Sequence, residues 1–307
     1  MSLPFLDKKT KTKSKPRSKS NKSSQSNSSR RRIQAGTSSP SSPSLISLLT
    51  KYTSIILILL LGTGALLYIK RDQWGISALF QKYLTQENKP KPDPAKYASL
   101  IAQLNADRTQ LKNRYLSAET RTIQQQIISE ASTLLEDRLP PMMRCWLGHP
   151  WDFNGIATIP GEGEIACGYF VSTIMRDAGF KINRIRVAQQ PSQNIIRTFV
   201  DNQEFYEIKT NTPYQKYVDD ITKNYQGIQI VGLDKHVAFI VIKDGQMRFI
   251  HSGGLQKCVV DEGRSEAHSL ENSNYRVISN ISRNRNAIKK WILGKPFSTG
   301  GSQAAAR

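Results

Sequence analysis

The chain has 307 residues, with 44 Lys plus Arg against 24 Asp plus Glu, a net charge of +20. Twelve basic side chains and one acid, Asp7, fall within residues 1–51, so +11 sits there and +9 in the rest. Basic residues parked outside any folding pattern argue against a nucleic-acid-binding face. Three cysteines exclude both a disulfide-stapled mini-protein and a structural zinc site built on paired cysteines.

Residues 1–51 are mostly Lys, Arg, Ser, Thr, Asn, Gln and Pro, as in Lys11-Thr12-Lys13-Ser14-Lys15-Pro16. With so little apolar surface to bury, they are expected to form a disordered basic tail. Residues 52–69 carry no charge, and Ile55 to Leu61 is continuously aliphatic. A helix of this length reaches roughly 27 Å, close to the hydrocarbon thickness of a bilayer, and predicts a transmembrane helix. The Lys and Arg ahead of it place the N-terminus in the cytoplasm. Residues 70–307 then lie on the extracytoplasmic side of the cell membrane, which the chain contacts through one helix. A cleaved signal peptide fits less well, because a polar lead of about 50 residues exceeds a signal n-region.

Residues 70–96 read as a linker, stiffened by alternate prolines at Pro90, Pro92 and Pro94. Residues 97–139 read as a helical spacer with two apolar stripes. One runs through Tyr97, Leu100, Ile101, Leu104, Leu111 and Tyr115, the other through Ile123, Ile127, Ile128, Ala131, Leu134 and Leu135. These are packing faces, against each other or against the following domain. Asp107-Arg108 interrupts the first stripe and argues against a dimeric coiled coil. Pro140-Pro141 is expected to end the second helix.

All three Cys and all four His lie in residues 140–297. Cys167 follows the Gly/Pro loop Pro160-Gly161-Glu162-Gly163-Glu164. It opens a predicted helix in which Phe170, Val171, Ile174, Met175 and Ala178 share a face and Gly179 is the cap. A helix N-terminus offers free N–H groups and partial positive charge, both of which favour a thiolate. Taken alone, a small buried residue is the commoner role for such a cysteine.

Residues 236–243, His-Val-Ala-Phe-Ile-Val-Ile-Lys, read as a strand, Asp244-Gly245 as a two-residue turn, and 246–252 as the partner strand. If Lys243 pairs with Gln246, His236 and His251 become diagonal neighbours on one face, about 7–8 Å apart at the backbone. One histidine can then orient the other, as a general base requires. A metal site built from Cys167, His236 and His251 lacks short His spacing and an acidic ligand motif, so no metal and no cofactor is expected.

This order resembles the NlpC-type cell-wall peptidases. It comprises a helix-start Cys, a His opening an apolar strand 69 residues later, and a hairpin bearing a second polar residue. The matching stretches are Cys167-Gly168-Tyr169-Phe170-Val171 with Asp177-Ala178-Gly179-Phe180, His236-Val237-Ala238-Phe239-Ile240-Val241, and Phe249-Ile250-His251-Ser252. Upstream, Pro150-Trp151-Asp152-Phe153-Asn154-Gly155 is similar to the aromatic and glycine segment preceding that family's nucleophile. The resemblance covers roughly residues 145–255. It implies an α+β, papain-like cysteine peptidase domain over 140–297, with the helix-start Cys packed on an antiparallel sheet.

Carried over, Cys167 is the nucleophile, His236 the general base and His251 its orienting partner. Trp151, Asp152, Asn154 and Tyr169 stand where substrate is held. The implied activity is hydrolysis of amide bonds in peptidoglycan stem peptides or another peptide. The family usually has Asp-Cys-Ser-Gly at the nucleophile where this chain has Ala166-Cys167-Gly168-Tyr169, and a Tyr where it has Trp151. Two other readings stay open: a catalytically inactive wall-binding or scaffold module on the same fold, and an amidase of that fold acting on protein or lipid.

Among the remaining candidates, His149 reads as a loop histidine and His268 as a solvated one. Cys145 and Cys258 are equally compatible with a disulfide and with two free thiols. Arg176, Lys181, Arg184 and Arg186 read as a solvated basic face, as do Arg283, Arg285, Lys289 and Lys290. Residues 298–307 read as a frayed tail.

Overall fold

The computed structural model describes residues 52–53, 55–64, 66, 70, 89–200, 206–208 (backbone) and 212–300. Its centre is the hairpin expected from the sequence, formed by β3 (Val237–Lys243) and β4 (Gln246–Gly253). Asp244 and Gly245 close it at φ 53° and 73°. Two successive residues at positive φ suit a turn whose twist matches the strands it joins. Lys243 opposes Gln246 and Phe239 opposes Ile250, the register read from the sequence.

Around this hairpin the other strands are β1 (Tyr206–Ile208), β2 (Gly227–Leu233), β5 (Cys258–Glu262) and β6 (Arg276–Asn280). They form one antiparallel sheet in the order β1-β6-β2-β3-β4-β5. The chain is therefore α+β with an antiparallel sheet. Both faces of the sheet are covered, which is why β3 reads as an unbroken apolar run and not as an alternating one. Val237, Phe239 and Val241 enter one apolar cluster and Ala238, Ile240 and Ile242 the other.

The larger cluster is built by α1 (Pro94–Ser117), α2 (Arg121–Arg144), α3 (Cys167–Asp177), α4 (Arg184–Ala188) and α5 (Ser192–Phe199). The C-terminal helix α8 (Arg285–Leu293) adds Ile288 and Trp291 to it. The smaller cluster is covered by α6 (Tyr214–Asn224) and the short α7 (His268–Glu271). The Cys167 helix, α3, packs on β3 and β4.

Residues 97–139, expected as a spacer, contribute Leu104, Leu111, Ile127 and Leu135 to the same cluster as Phe170 and Phe239. The two helices are joined to each other by Arg114–Glu130 (2.7 Å) and Arg138–Asp107 (3.3 Å). The Tyr97 hydroxyl donates to Asp177 at 2.9 Å, and Arg108 donates to the Gly179 carbonyl at 2.8 Å, tying α1 to the end of α3.

Four expectations need correction. The transmembrane helix over 52–69 is not found: among the described residues no helix is long and apolar enough to cross a membrane. The expected membrane contact through one helix loses its basis. The extracytoplasmic placement rested on it, and nothing in the described residues bears on that placement.

Second, Pro140-Pro141 does not end α2, which runs through both prolines to Arg144. An interior proline costs about 3 kcal/mol. Leu139, Met142 and Met143 are fully buried on that last stretch. Each such side chain contributes about 1.5–3 kcal/mol, enough to offset the prolines.

Third, the C-terminal tail begins later than 298. Thr299 is buried, and the Gly300 N–H donates to the Thr198 hydroxyl at 2.9 Å. The basic tail over 1–51, most of the 70–96 linker and residues 301–307 lie outside the described residues. Fourth, Arg184 is not a solvated cation. It is buried and donates to the Thr173 hydroxyl and to the carbonyls of Ile156 and Ala157.

Because α1 is part of the main core, Leu104→Ala is expected to lower the unfolding free energy by about 2–5 kcal/mol, the range for a buried leucine. Urea denaturation of the full chain measures this, and a loss below about 0.5 kcal/mol would mean that α1 packs as an appendage.

Candidate active site

Cys167 is held by a loop that is stitched down on both sides. The Trp151 N–H donates to the Lys257 carbonyl, and the Ile165 N–H to the Pro150 carbonyl. The Ala166 N–H donates to Gly155, while the Ser252 hydroxyl donates to the Ile165 carbonyl at 2.6 Å. Helix α3 then starts at Cys167 without a side-chain cap, so its first-turn N–H groups have no intrahelical partner. Gly168 is required by a close approach: a Cβ there would stand 2.4 Å from the Ala188 carbonyl oxygen. Any side chain at this position would push Ala188 away from the helix start.

The two histidines meet as the register demands. His236 Nε2 lies 2.9 Å from His251 Nδ1, with ring centroids 4.8 Å apart and nearly perpendicular. His251 is fully buried, its ring against Phe249. Its other nitrogen, Nε2, lies 3.2 Å from Glu262 Oε2. Glu262 is itself buried, on β5. Since Val260 is the partner of His251 across the β4–β5 ladder, Glu262 is the diagonal neighbour on the same face.

Burial sets the resting protonation. It lowers His236 to about 3, with the neighbouring His251 adding to the effect. Burial also raises the Cys167 thiol above its ordinary value, although backbone N–H groups of Val237, Gly168 and Cys167 work in the opposite direction. A raised thiol beside a lowered imidazole means a neutral thiol and a neutral ring. A preformed thiolate–imidazolium pair would need the opposite shifts.

Cys167 and His236 open together on a cleft of about 760 Å3. His236 Nε2 is engaged by His251, so Nδ1 is the ring nitrogen outside that contact. The other walls carry Gln190, Ser192, Gln193, Asp234, Lys235 and Tyr275. Asp234 is fixed there: its Oδ2 accepts from the Ser273 hydroxyl and from the N–H groups of Asn274 and Tyr275. Gln193 donates to the Tyr275 hydroxyl.

The four residues expected to hold substrate separate. Trp151 stays close to the histidines: a Cβ on Gly253 would lie 3.7 Å from the indole Nε1 and 3.4 Å from His236 Cε1. Gly253 has φ 138°, a region open to glycine, and its bare Cα leaves room for both rings. Asp152 and Asn154 make a local turn, the carboxylate accepting the Asn154 N–H at 2.8 Å, and do not line the cleft. Tyr169 points to α4, under the Arg184 guanidinium at 4.9 Å and beside Gln189, and does not line it either.

Sequence reasoning missed Glu262 and the α5 and β2–β3 walls. Glu262 had one legible signal, an acid two positions beyond the strand partner of His251, but that partner depends on the turn between β4 and β5. His149, read as a loop histidine, is fully buried. The Gly161 N–H donates to its Nδ1 at 2.9 Å, and burial lowers it to about 4. Cys145 and Cys258 are free thiols. Among the described residues no group of three or more His, Cys, Asp or Glu is arranged to hold a metal ion.

No family model, no curated protein and no solved structure matches the chain.

Two buried neutral histidines make the fold acid-sensitive. Unfolding returns His236 and His149 to an ordinary value near 6.5, so the unfolded chain binds protons that the native one refuses. Their contribution is complete above about pH 6.5 and is lost as pH falls toward 4 and 3, on the order of 1 kcal/mol per pH unit from each. The midpoint of thermal unfolding is expected to fall steadily from pH 7 to pH 4, and less steeply in His149→Gln. An unchanged slope in that variant would contradict the assignment for His149.

Proposed function

We propose that the chain is a cysteine peptidase or amidase in which Cys167 is the nucleophile, His236 the general base and His251 the residue that orients it. One observation carries the reading: a helix-start cysteine and one member of a mutually bonded histidine pair line the same cleft. A roomy cleft at that point is more than a packed core needs. The order of motifs that resembles the NlpC-type peptidases supports peptidoglycan stem peptides as the substrate class.

The chemistry follows from the neutral resting pair. As the Cys167 sulfur attacks the amide carbonyl, His236 Nδ1 takes the thiol proton, so thiolate and imidazolium exist only along the reaction. The carbonyl oxygen becomes an oxyanion at the N-terminus of α3, with the first-turn N–H groups, that of Cys167 first, as its donors. A donor of this type is worth about 10²–10³-fold in rate. Collapse breaks the C–N bond, and the amine leaves with the proton held on His236. Water then attacks the thioester while His236 accepts its proton, and the acid and the free thiol are regenerated.

Incubation of the full chain with purified peptidoglycan is expected to release stem-peptide fragments, and Cys167→Ala to abolish the release. Release that survives in the variant would remove Cys167 as nucleophile. No release from wild type, together with a Cys167 inert to alkylation, would favour the inactive module. A Cys167 that alkylates readily without release would point to a protein or lipid amide.

The resting state has its own signature. Because the thiol is raised and the ring lowered, no thiolate absorbance is expected from Cys167 between roughly pH 5 and 8, the range in which ion-paired cysteines are already ionised. Thiolate absorbance in wild type that is lost in Cys167→Ser would contradict the neutral pair.

A further inference from the structure

Glu262 is a carboxylate buried to 8% exposure whose hydrogen bond is to one histidine nitrogen. Burying a carboxylate costs several kcal/mol, and a fold that needed only a strand residue there would be served by Val or Leu. The residues packed on His251 give the cost a purpose. Phe249 covers the ring face, with centroids 4.4 Å apart. At the ring edge stands Gly254, where a Cβ would be 3.1 Å from His251 Cε1. Neither offers a side-chain acceptor, and although Gln256 Oε1 also stands at that edge, the carboxylate hydrogen-bonded to His251 Nε2 is Glu262.

We propose that Glu262 is a positioning residue that sets the tautomers of both histidines, leaving His236 with a bare Nδ1 toward Cys167. The proposal rests on the reading of Cys167 and His236 as nucleophile and base.

The logic runs inward from the carboxylate. A carboxylate only accepts, so the 3.2 Å contact requires a proton on His251 Nε2. In a neutral imidazole the other nitrogen, Nδ1, is then a lone-pair acceptor. It lies 2.9 Å from His236 Nε2, which must therefore donate. The proton of neutral His236 is thus spent on Nε2, and Nδ1 is free to take the thiol proton. If Glu262 were absent, His251 would be free to carry its proton on Nδ1 and donate it to His236 Nε2. His236 would then carry its own proton on Nδ1, where a base must be bare. The carboxylate would also attract, through His251, the positive charge that forms on His236 during attack.

The test uses the full chain labelled with 15N-histidine, because imidazole 15N shifts distinguish a protonated nitrogen from a bare one. In wild type at neutral pH both His236 and His251 are expected as the Nε2–H tautomer. Glu262→Leu is expected to populate the other tautomer at both rings, and Glu262→Asp to restore the wild-type pattern in part. In parallel, iodoacetamide alkylation of Cys167 is expected to slow about 10- to 100-fold in Glu262→Leu, the usual cost of losing an orienting partner, with recovery in Glu262→Asp. Should Glu262→Leu fail to fold, the wild-type spectrum and Glu262→Gln decide the matter. Wild-type His251 protonated at Nδ1 overturns the proposal, and so do tautomers and alkylation rates that are unchanged in a folded variant. Correct tautomers in a chain that cleaves no amide would support the positioning role while removing the hydrolase reading.

Discussion

A two-residue turn at Asp244 and Gly245 decides where each side chain of the central hairpin falls, and the core and the candidate site both depend on it. With Lys243 opposite Gln246, Phe239 and Val241 pack under the Cys167 helix while Ala238 and Ile240 pack under α6. The same register brings His236 and His251 within 2.9 Å. A slip of one residue along either strand would exchange the two clusters and send one histidine to the opposite face. Stability and chemistry therefore share one constraint, and Gly245 at positive φ is part of the site although it is remote from it.

The second organising fact is burial. Covering the sheet on both faces buries His251 fully, and the partial burial of its neighbours favours a neutral His236 and a neutral Cys167 thiol. Such a pair resembles a base poised beside a weak acid more than a stored ion pair. In the proposed reaction charge would appear only on attack, and the groups that would meet it stand close by: the first-turn amides at Cys167, and His251 with Glu262 behind His236. In a dry site these dipoles act with little screening and need no rearrangement.

How much of this was legible in the sequence varies with range. The hairpin was, because Asp244-Gly245 between two apolar runs is a local signal with a defined geometry. The helix opening at Cys167 was legible for the same reason, from the Gly/Pro loop and the apolar spacing after it. Elements fixed by tertiary packing were misread. Pro140 and Pro141 look like a stop until the burial of Met142 and Met143 is weighed against them. Arg184 looks like a surface cation until the Ile156 and Ala157 carbonyls close on it. The apolar run after Tyr52 reads as a span by hydropathy, yet no described helix there has the required length. Of the candidate site, the approach of His236 to His251 was readable and its support was not. Glu262 depends on the β4–β5 register, and the cleft walls of α5 are close to His236 only in the fold.

The central claim is that Cys167, and not Cys145 or Cys258, is the thiol made nucleophilic by His236. Brief reaction of the full chain with an activated acyl ester, followed by acid quench and peptide mass mapping, tests it most directly. The account predicts one acyl group per chain, carried on Cys167, with acylation slowed by about 10²-fold or more in His236→Ala. Acyl label on Cys145 or Cys258, or labelling of Cys167 at the same rate without His236, would contradict it.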